Sequence, residues 1–261
     1  MQGRLSPMSP HGLQAFPAGP WEDELPKIRS LGLDRIEWLL DRWAPLRNPL
    51  VLDPDQVADT LASHGVSSPS LCLDAMLACT WNSASLQDLR QFVSVVFPAA
   101  ATIGVEVVCL PFLDDLSLES APTTRVRDSL LDFLSVEAGR NSLSLALETS
   151  LSPQALASII HQFGESGIQV TLDIGNLVAA SRNVSEFVDE LGPSISVIHL
   201  KDRDRKNEPV LLGQGVAQVS SALANIHACK PKAVTLECFR GINAYEDVSR
   251  QVKIVQSLLN T

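Results

Sequence analysis

The sequence predicts an α/β protein of the (β/α)8 class, a TIM barrel with a short first strand that forms one domain over residues 1–261. The length of 261 residues suits such a barrel, which needs roughly 250. Short apolar runs rich in β-branched residues alternate with longer helical patterns, which is typical of parallel strands joined by helices. No change in composition indicates a linker or a second domain.

Eight runs predict the strands of the barrel. The first is short and lacks the apolar lead-in of a central strand. In order, the runs span residues 1–4, 34–38, 69–74, 105–110, 143–148, 169–173, 196–200 and 233–238. Their ends are separated by distances along the chain close to the roughly 30 residues that a βαβ unit requires.

The segments between these runs carry helical patterns. Most begin at Ser, Asp, Asn or Pro and end at Gly or another turn-forming residue. The clearest patterns span residues 54–64, 86–103, 123–139, 153–166, 219–227 and 244–259. A helix is therefore expected after most strands, as the barrel requires.

The charge balance limits the partners of the protein. The formal net charge of −10 repels the phosphate backbone of nucleic acids, and the dense basic stretch at residues 201–206 also contains Asp202 and Asp204. The N-terminal residues offer neither an apolar signal region nor a membrane span. We therefore expect a cytoplasmic protein that binds neither nucleic acid nor membrane. Assembly with further copies of the chain stays open.

The five cysteines are irregularly spaced and include no CxxC pair, which argues against a zinc knuckle or a redox site. Cys72, Cys109 and Cys238 lie inside apolar runs, where a free cysteine usually packs as a small buried hydrophobe. We expect these thiols to be reduced.

A polar or charged residue closes seven of the eight runs. These residues are Arg4, Glu37, Asp74, Glu148, Asp173, His199 and Glu237. Any one of them alone fits the first polar residue of a loop equally well. Together they indicate a site, because a charge at the end of a buried strand is costly unless it is paired or metal-bound, and the strand ends of a barrel converge on its mouth.

The last four predicted strands end in Glu148, Asp173, His199 and Glu237, so these side chains can surround a common point. Three carboxylates and one imidazole suit one Mn²⁺, Mg²⁺ or Co²⁺ ion; Zn²⁺ stays open, although it more often recruits Cys or further His. The other four histidines lie in a Pro-rich loop or in or beside predicted helices. His199 is therefore the histidine expected to bind the metal.

At these residues the sequence resembles the sugar phosphate isomerase and epimerase family, which is built on the xylose isomerase-like barrel. The resemblance spans nearly the whole chain. It is carried by MQGRLSP (1–7), LDRIEW (33–38), LET (147–149), LDIGN (172–176), IHLKD (198–202), LGQG (212–215) and LE (236–237). The pieces are short, and their order and spacing make the match.

The resemblance implies that Glu148, Asp173, His199 and Glu237 bind one divalent metal and that Glu148 and Glu237 also carry protons on opposite faces of a sugar or sugar phosphate. A divalent ion stabilises the enediolate that forms when a proton leaves the carbon beside a carbonyl. Return of the proton to the other face gives a ketose 3-epimerase, and transfer between neighbouring carbons gives an aldose-ketose isomerase. The residues alone do not choose between them.

Further residues are expected to contact the substrate. Glu37 and Asp74 are predicted at the barrel mouth outside the metal shell, and Asn176 stands where many relatives have His. Arginine can grip a phosphate or carboxylate with two N–H groups. The full predicted set is Arg4, Glu37, Asp74, Asn176, Lys201, Arg203, Arg205 and Arg240. Gly213 and Gly215 fit either a backbone nest for an anion or a turn.

Two other functions compete with this interpretation. A non-catalytic sugar-binding barrel would keep the scaffold without turnover. An apurinic endonuclease of the same superfamily would bind several zinc ions, but it needs more histidines at strand ends and a surface that tolerates DNA. A metal-dependent isomerase or epimerase fits the strand ends best.

Overall fold

The computed structural model describes residues 1–2, 5–163, 166–225, 229–237, 239 and 241–259. Seven parallel strands form one sheet, in which they lie side by side in chain order. The strands are β1 (Arg35–Leu39), β2 (Ser67–Cys72), β3 (Val107–Phe112), β4 (Ser144–Thr149), β5 (Ile168–Asp173), β6 (Ile195–Leu200) and β9 (Ala233–Leu236). A separate antiparallel hairpin consists of β7 (Asp202–Arg203) and β8 (Pro209–Val210).

Residues 1 and 2 lie between the two edges of this sheet and nearly close the barrel. Gln2 forms a parallel bridge with Glu37 of β1, and the backbone N–H of Gln2 donates a hydrogen bond to Leu236 O of β9 at 3.2 Å. Glu37 N donates in turn to Met1 O at 2.8 Å. The predicted short first strand is thus represented by a bridge at residue 2, and Arg4 lies outside the described residues.

Helices pack around the strands. They are α1 (Glu24–Ser30), α2 (Pro49–Leu52), α3 (Pro54–Ser63), α4 (Ser83–Thr102), α5 (Thr124–Arg140), α6 (Pro153–Phe163), α7 (Ile174–Ala179), α8 (Val184–Leu191), α9 (Val219–Ala224) and α10 (Ala244–Leu259). None of the described helices is long and apolar enough to cross a membrane.

Side-chain caps fix where several helices begin. Asp53, Asn82 and Thr123 each accept a hydrogen bond from a backbone N–H in the first turn of α3, α4 and α5, at 3.0, 2.9 and 3.2 Å. Such a cap satisfies a donor that the helix itself leaves unpaired. These three helices agree within a few residues with those that the sequence predicts.

The sequence patterns missed α1, α2, α7, α8 and the β7-β8 hairpin. Helices α2 and α7 have only 4 and 6 residues, too few to show an apolar repeat. Helix α7 also begins directly after β5, with Asp173 as its N-cap, so the strand and helix patterns merge there. The hairpin strands have 2 residues each, and nothing in their composition indicates a strand.

Alternation along the strands divides the core into two parts. Outward side chains pack with the helices in one large apolar cluster, and inward side chains fill the barrel. Toward the C-terminal ends of the strands the inward positions become polar: Ala146 is followed by Glu148, and Val197 by His199. The inward alternation therefore places the charged strand ends inside the mouth of the barrel.

Candidate metal centre

Four strand-end side chains converge inside the mouth of the barrel. His199 Nδ1 lies 3.4 Å from Glu237 Oε1, 3.6 Å from Glu148 Oε2 and 3.9 Å from Asp173 Oδ2. All four side chains are buried. The structure thus brings together the four residues that the sequence groups as metal ligands.

Strand register produces this arrangement. Asp173 of β5 is the direct partner of His199 of β6. His199 is in turn the partner of Thr235 of β9, and Glu237 directly follows the last residue of β9. Glu148 comes from β4 on the other side of β5. Glu148 and Glu237 therefore approach the site from strands that are separated by two others.

The atoms around His199 Nδ1 fit a divalent cation. This nitrogen is buried and has no hydrogen-bond partner among the described residues, a costly state for a polar atom. Bonds of about 2.0–2.2 Å to one ion separate neighbouring ligand atoms by roughly 3.0–3.5 Å, close to the distances seen here. Glu148, Asp173 and His199 also form a group whose donor atoms all lie within 4.8 Å of one another.

Lys201 supplies the positive charge nearest to these carboxylates. Its Nζ contacts Asp173 Oδ2 and lies 2.8 Å from Glu237 Oε2. Burial opposes the charge of this ammonium, yet Asp173 and Glu237 outweigh burial and raise the pKa of Lys201. Gly175 gives room to its stem, because a Cβ at that position would lie 2.5 Å from Lys201 Cγ. Lys201 therefore offsets part of the negative charge of Asp173 and Glu237.

Asn176 orders two of the carboxylates. Its backbone N–H donates to Asp173 Oδ1 at 2.9 Å, and its side-chain amide donates to Glu148 Oε1. Burial, and after it the charge of Asp173, raise the pKa of Glu148 well above its usual range. Asn176 thus contacts two of the carboxylates, and its contact with substrate stays a prediction.

Glu37 contacts the opposite edge of the histidine ring. It lies inside β1, which continues to Leu39, and not at a strand end as the sequence pattern indicated. Its Oε1 and Oε2 are 3.2 and 3.3 Å from His199 Nε2. Gln2 Nε2 donates to Glu37 Oε1 at 3.2 Å, and Thr235 Oγ1 donates to Oε2 at 3.4 Å. The carboxylate is therefore well placed to hold His199 with Nδ1 facing the other three acids.

The charges of Glu37 and His199 support each other. Burial raises the pKa of Glu37, but His199 outweighs burial and lowers it. Burial likewise opposes protonation of His199, yet Glu37 and then Glu237 raise its pKa well above the usual value. A metal ion that binds at Nδ1 therefore competes with protonation of His199.

Cys109 lies next to this pair, with Sγ 3.6 Å from Glu37 Oε2 and 3.8 Å from His199 Nε2. Glu37, Cys109 and His199 have the donor atoms of a metal site. However, burial raises the pKa of the Cys109 thiol to about 12, and the carboxylate already accepts hydrogen bonds from Gln2 and Thr235. We interpret this cluster as a hydrogen-bonded support for the imidazole.

Asp74 lies just beyond β2, and Gln14 links it to the centre. Gln14 Nε2 is 3.5 Å from Asp74 Oδ2 and 3.4 Å from Glu237 Oε1. Burial, and after it the charge of Glu237, raise the pKa of Asp74 to about 6. Sequence reasoning missed Gln14, because it belongs to the loop before α1 and follows no strand.

The predicted arginines differ in their placement. Arg203 lines a cleft beside Lys201 and Glu237, whereas Arg205 is exposed in the turn of the β7-β8 hairpin. Arg4 and Arg240 lie outside the described residues.

Asp202 fills the predicted backbone nest. Its carboxylate accepts hydrogen bonds from the amides of Gly213, Gly215 and Ala217 at 2.8, 2.9 and 2.8 Å. At Gly215 a Cβ would overlap the carbonyl oxygen of Arg203 and Oδ1 of Asp202. The anion held by this nest is thus a side chain of the protein, and the nest ties residues 213–217 to β7, which follows the strand that carries His199.

Fold and site together define an α/β barrel with a cluster of carboxylates and one histidine at its C-terminal mouth. The chain belongs to the xylose isomerase-like TIM barrel family, which it matches over residues 25–257. This confirms both the predicted fold class and the resemblance to sugar phosphate isomerases and epimerases. A search of curated protein sequences gave no match.

Solved structures share the fold over almost the whole chain. The IolI protein with a bound zinc atom is 18% identical, with a TM-score of 0.74 over 93% of this chain and 94% of that one. The 3-keto-D-glucoside 4-epimerase YcjR from E. coli is 14% identical, with a TM-score of 0.72 over 90% and 94%. A xylose isomerase-like TIM barrel protein from Mycobacterium smegmatis in complex with magnesium is 19% identical, with a TM-score of 0.66 over 97% and 94%. At these identities the comparison shows a common fold.

Proposed function

We propose that the protein is a metal-dependent isomerase or epimerase that moves a proton at a carbon beside the carbonyl of a small sugar or sugar phosphate. The observation that carries this proposal is the buried His199 Nδ1, which lacks a hydrogen-bond partner among the described residues and faces three carboxylates. Membership of the xylose isomerase-like family supports it.

Glu148, Asp173, His199 and Glu237 would hold one divalent ion, Mn²⁺, Mg²⁺ or Co²⁺, with Zn²⁺ as the alternative. Zinc in the IolI structure and magnesium in the M. smegmatis structure support a divalent ion without choosing among them. Bound there, the ion would polarise the substrate carbonyl and stabilise the negative charge that develops on its oxygen.

Glu148 and Glu237 would carry the proton. They come from strands on either side of β5 and β6, which lets the substrate lie between them. Burial and the charge of Asp173 raise the pKa of Glu148 in the metal-free protein, and a bound divalent ion would oppose this shift, because a carboxylate ligand is deprotonated. Asn176 would keep Glu148 oriented, and Lys201 would offer its ammonium to substrate oxygens at the edge of the site.

Metal titration and solvent exchange test this proposal. Purified protein should bind about one divalent ion per chain, measured by elemental analysis and calorimetry. Asp173→Ala and His199→Ala should each sharply reduce the affinity, because each removes a ligand. Asp189→Ala and His161→Ala change the same residue types at exposed helix positions and should bind metal like the wild type.

The metal-loaded protein should then exchange a carbon-bound proton of a ketose, ketose phosphate or short hydroxy-carbonyl acid with solvent deuterium, detected by NMR. Exchange that disappears after metal removal would support the proposed reaction. Normal metal affinity in both ligand variants would refute the ligand set. Metal binding without exchange of any substrate in the panel would favour a non-catalytic sugar-binding barrel.

A further inference from the structure

A cleft opens beside the candidate metal centre. Its walls include Gln14 from the loop before α1, Arg203 from β7 and Phe239. Lys201 and Glu237, which also face the metal-ligand cluster, line the same cleft. A molecule bound in this cleft would therefore reach the metal centre at one end.

Gln14 offers an acceptor that the protein leaves unused. Its Nε2 faces the carboxylate oxygens of Asp74 and Glu237, which fixes the orientation of the amide, since the reverse orientation would set oxygen against oxygen. Gln14 Oε1 is buried and has no hydrogen-bond partner among the described residues. An unsatisfied buried acceptor is unfavourable, and a hydroxyl group of a ligand would satisfy it after a small turn of the amide.

Arg203 offers a positive charge that is likewise unused. Its Nη1 donates to Asn207 O at 3.0 Å, but its Nε is buried without a hydrogen-bond partner in the described part of the chain. No carboxylate of the described residues forms an ion pair with it. The adjacent Asp202 is occupied by the loop amides. Lys201 differs, because Asp173 and Glu237 already neutralise its ammonium.

We infer that this cleft selects an anionic polyhydroxylated substrate, whose hydroxyl group binds Gln14 and whose phosphate or carboxylate binds Arg203 while its carbonyl end lies at the metal centre. The inference rests on the proposed function and names the substrate class for it. A neutral sugar would fill the same space but leave the guanidinium of Arg203 without a counter-charge. Both candidate anions present oxygen atoms to arginine N–H groups, so the shared chemistry is an oxyanion at the far end of a short polyol.

Calorimetric titration of the metal-loaded protein with matched sugars tests this. D-ribulose, D-xylulose and D-fructose are each compared with their terminal phosphates, and D-fructose also with D-fructuronate, which carries a carboxylate at carbon 6. In at least one pair the anionic sugar should bind about 10- to 100-fold more tightly than the neutral one, the range of a hydrogen bond to a charged group. A preference confined to the phosphates identifies a sugar phosphate, and one confined to D-fructuronate identifies a sugar acid.

Three variants locate the effect. Arg203→Met should abolish the preference for the anionic sugar, so that the anionic and neutral members of each pair bind with similar affinity. Gln14→Met should weaken neutral and anionic sugars alike, by about 3- to 10-fold. Lys206→Met removes an exposed charge of the same loop and should keep the wild-type preference. Thermal unfolding of each variant verifies that it is folded.

Metal titration of the same samples separates this inference from the proposed function. A wild-type protein that binds no divalent metal would refute the proposed metal centre. Normal metal binding would refute the substrate class if neutral sugars bind as tightly as anionic ones in every pair, or if no anionic sugar binds. A preference that survives in Arg203→Met would refute the role of that residue.

Discussion

Replacing Glu37 by Gln tests whether support behind the histidine contributes to metal binding. The change keeps the size of the side chain and one oxygen acceptor but removes the negative charge beside His199 Nε2. Carboxylate partners of metal-binding histidines fix the ring and increase its basicity, and their loss typically lowers metal affinity about 10- to 100-fold.

Two features of the structure place the expected loss of metal affinity at the lower end of this 10- to 100-fold range. The contacts from Glu37 to His199 Nε2 are 3.2 and 3.3 Å, longer than the roughly 2.7–2.9 Å of strong charge-assisted hydrogen bonds. Glu37 also raises the pKa of His199 in the metal-free protein, so its removal makes the proton at Nδ1 easier to displace and offsets part of the loss. We therefore expect about a 10-fold lower affinity, or about 1.4 kcal/mol.

Calorimetric titration with Mn²⁺ and Zn²⁺ at neutral pH measures this affinity, and repetition in buffers of different ionisation enthalpy counts the protons released. Glu37→Gln should release fewer protons as well as bind more weakly. Glu137→Gln serves as a control, because it alters a buried carboxylate on α5 that pairs with Arg140 away from the metal centre. Wild-type affinity and proton release in a folded Glu37→Gln protein would refute the reasoning.

Folding raises the pKa of Asp74 from 3.8 to about 6, so ionisation of this side chain opposes the folded state. In thermal unfolding of the metal-free protein, Asp74→Asn should therefore add up to about 3 kcal/mol of stability above pH 6 and have no effect below about pH 4. An effect that does not depend on pH would contradict this. Glu148→Gln and Glu237→Gln should each reduce turnover of an identified substrate by about 100-fold or more while changing its binding little, and near wild-type rates in both would exclude them as proton carriers. Gly215→Ala should destabilise the protein by about 1–3 kcal/mol in denaturant unfolding, because the added Cβ overlaps backbone atoms. Gly139→Ala in helix α5 places its Cβ in open space and should be neutral or stabilising. Equal effects of the two changes would show that the loop around Gly215 adapts.

The sequence predicted the barrel and the convergence of four side chains because both follow from local rules. Apolar runs identify buried strands, alternation decides which residues point inward, and the ends of parallel strands meet at one face. The proximity of Asp173 and His199 could be predicted from their positions near the ends of adjacent strands alone.

The remaining parts of the site depend on how distant segments meet. Gln14 reaches Glu237 through a loop whose path no periodicity describes. Glu37 was expected at the mouth, but β1 extends one residue further than predicted, and the carboxylate stays inside the barrel beneath the imidazole. Asn176 binds Asp173 and Glu148, and Asp202 binds backbone amides of a later loop; no periodicity of the sequence describes these contacts.

The nest around Asp202 anchors the β7-β8 hairpin at its base, so that the tip of the hairpin, residues 204–207, can be exchanged. The base of the loop after β6 is clamped by three amides on one carboxylate, three residues after His199, whereas the tip of the β7-β8 hairpin is exposed. Residues 204–207 could therefore be lengthened, shortened or replaced by a segment from another barrel while the clamp keeps the imidazole and its neighbours in position. In such a chimaera, the ion-binding residues would remain those of the host.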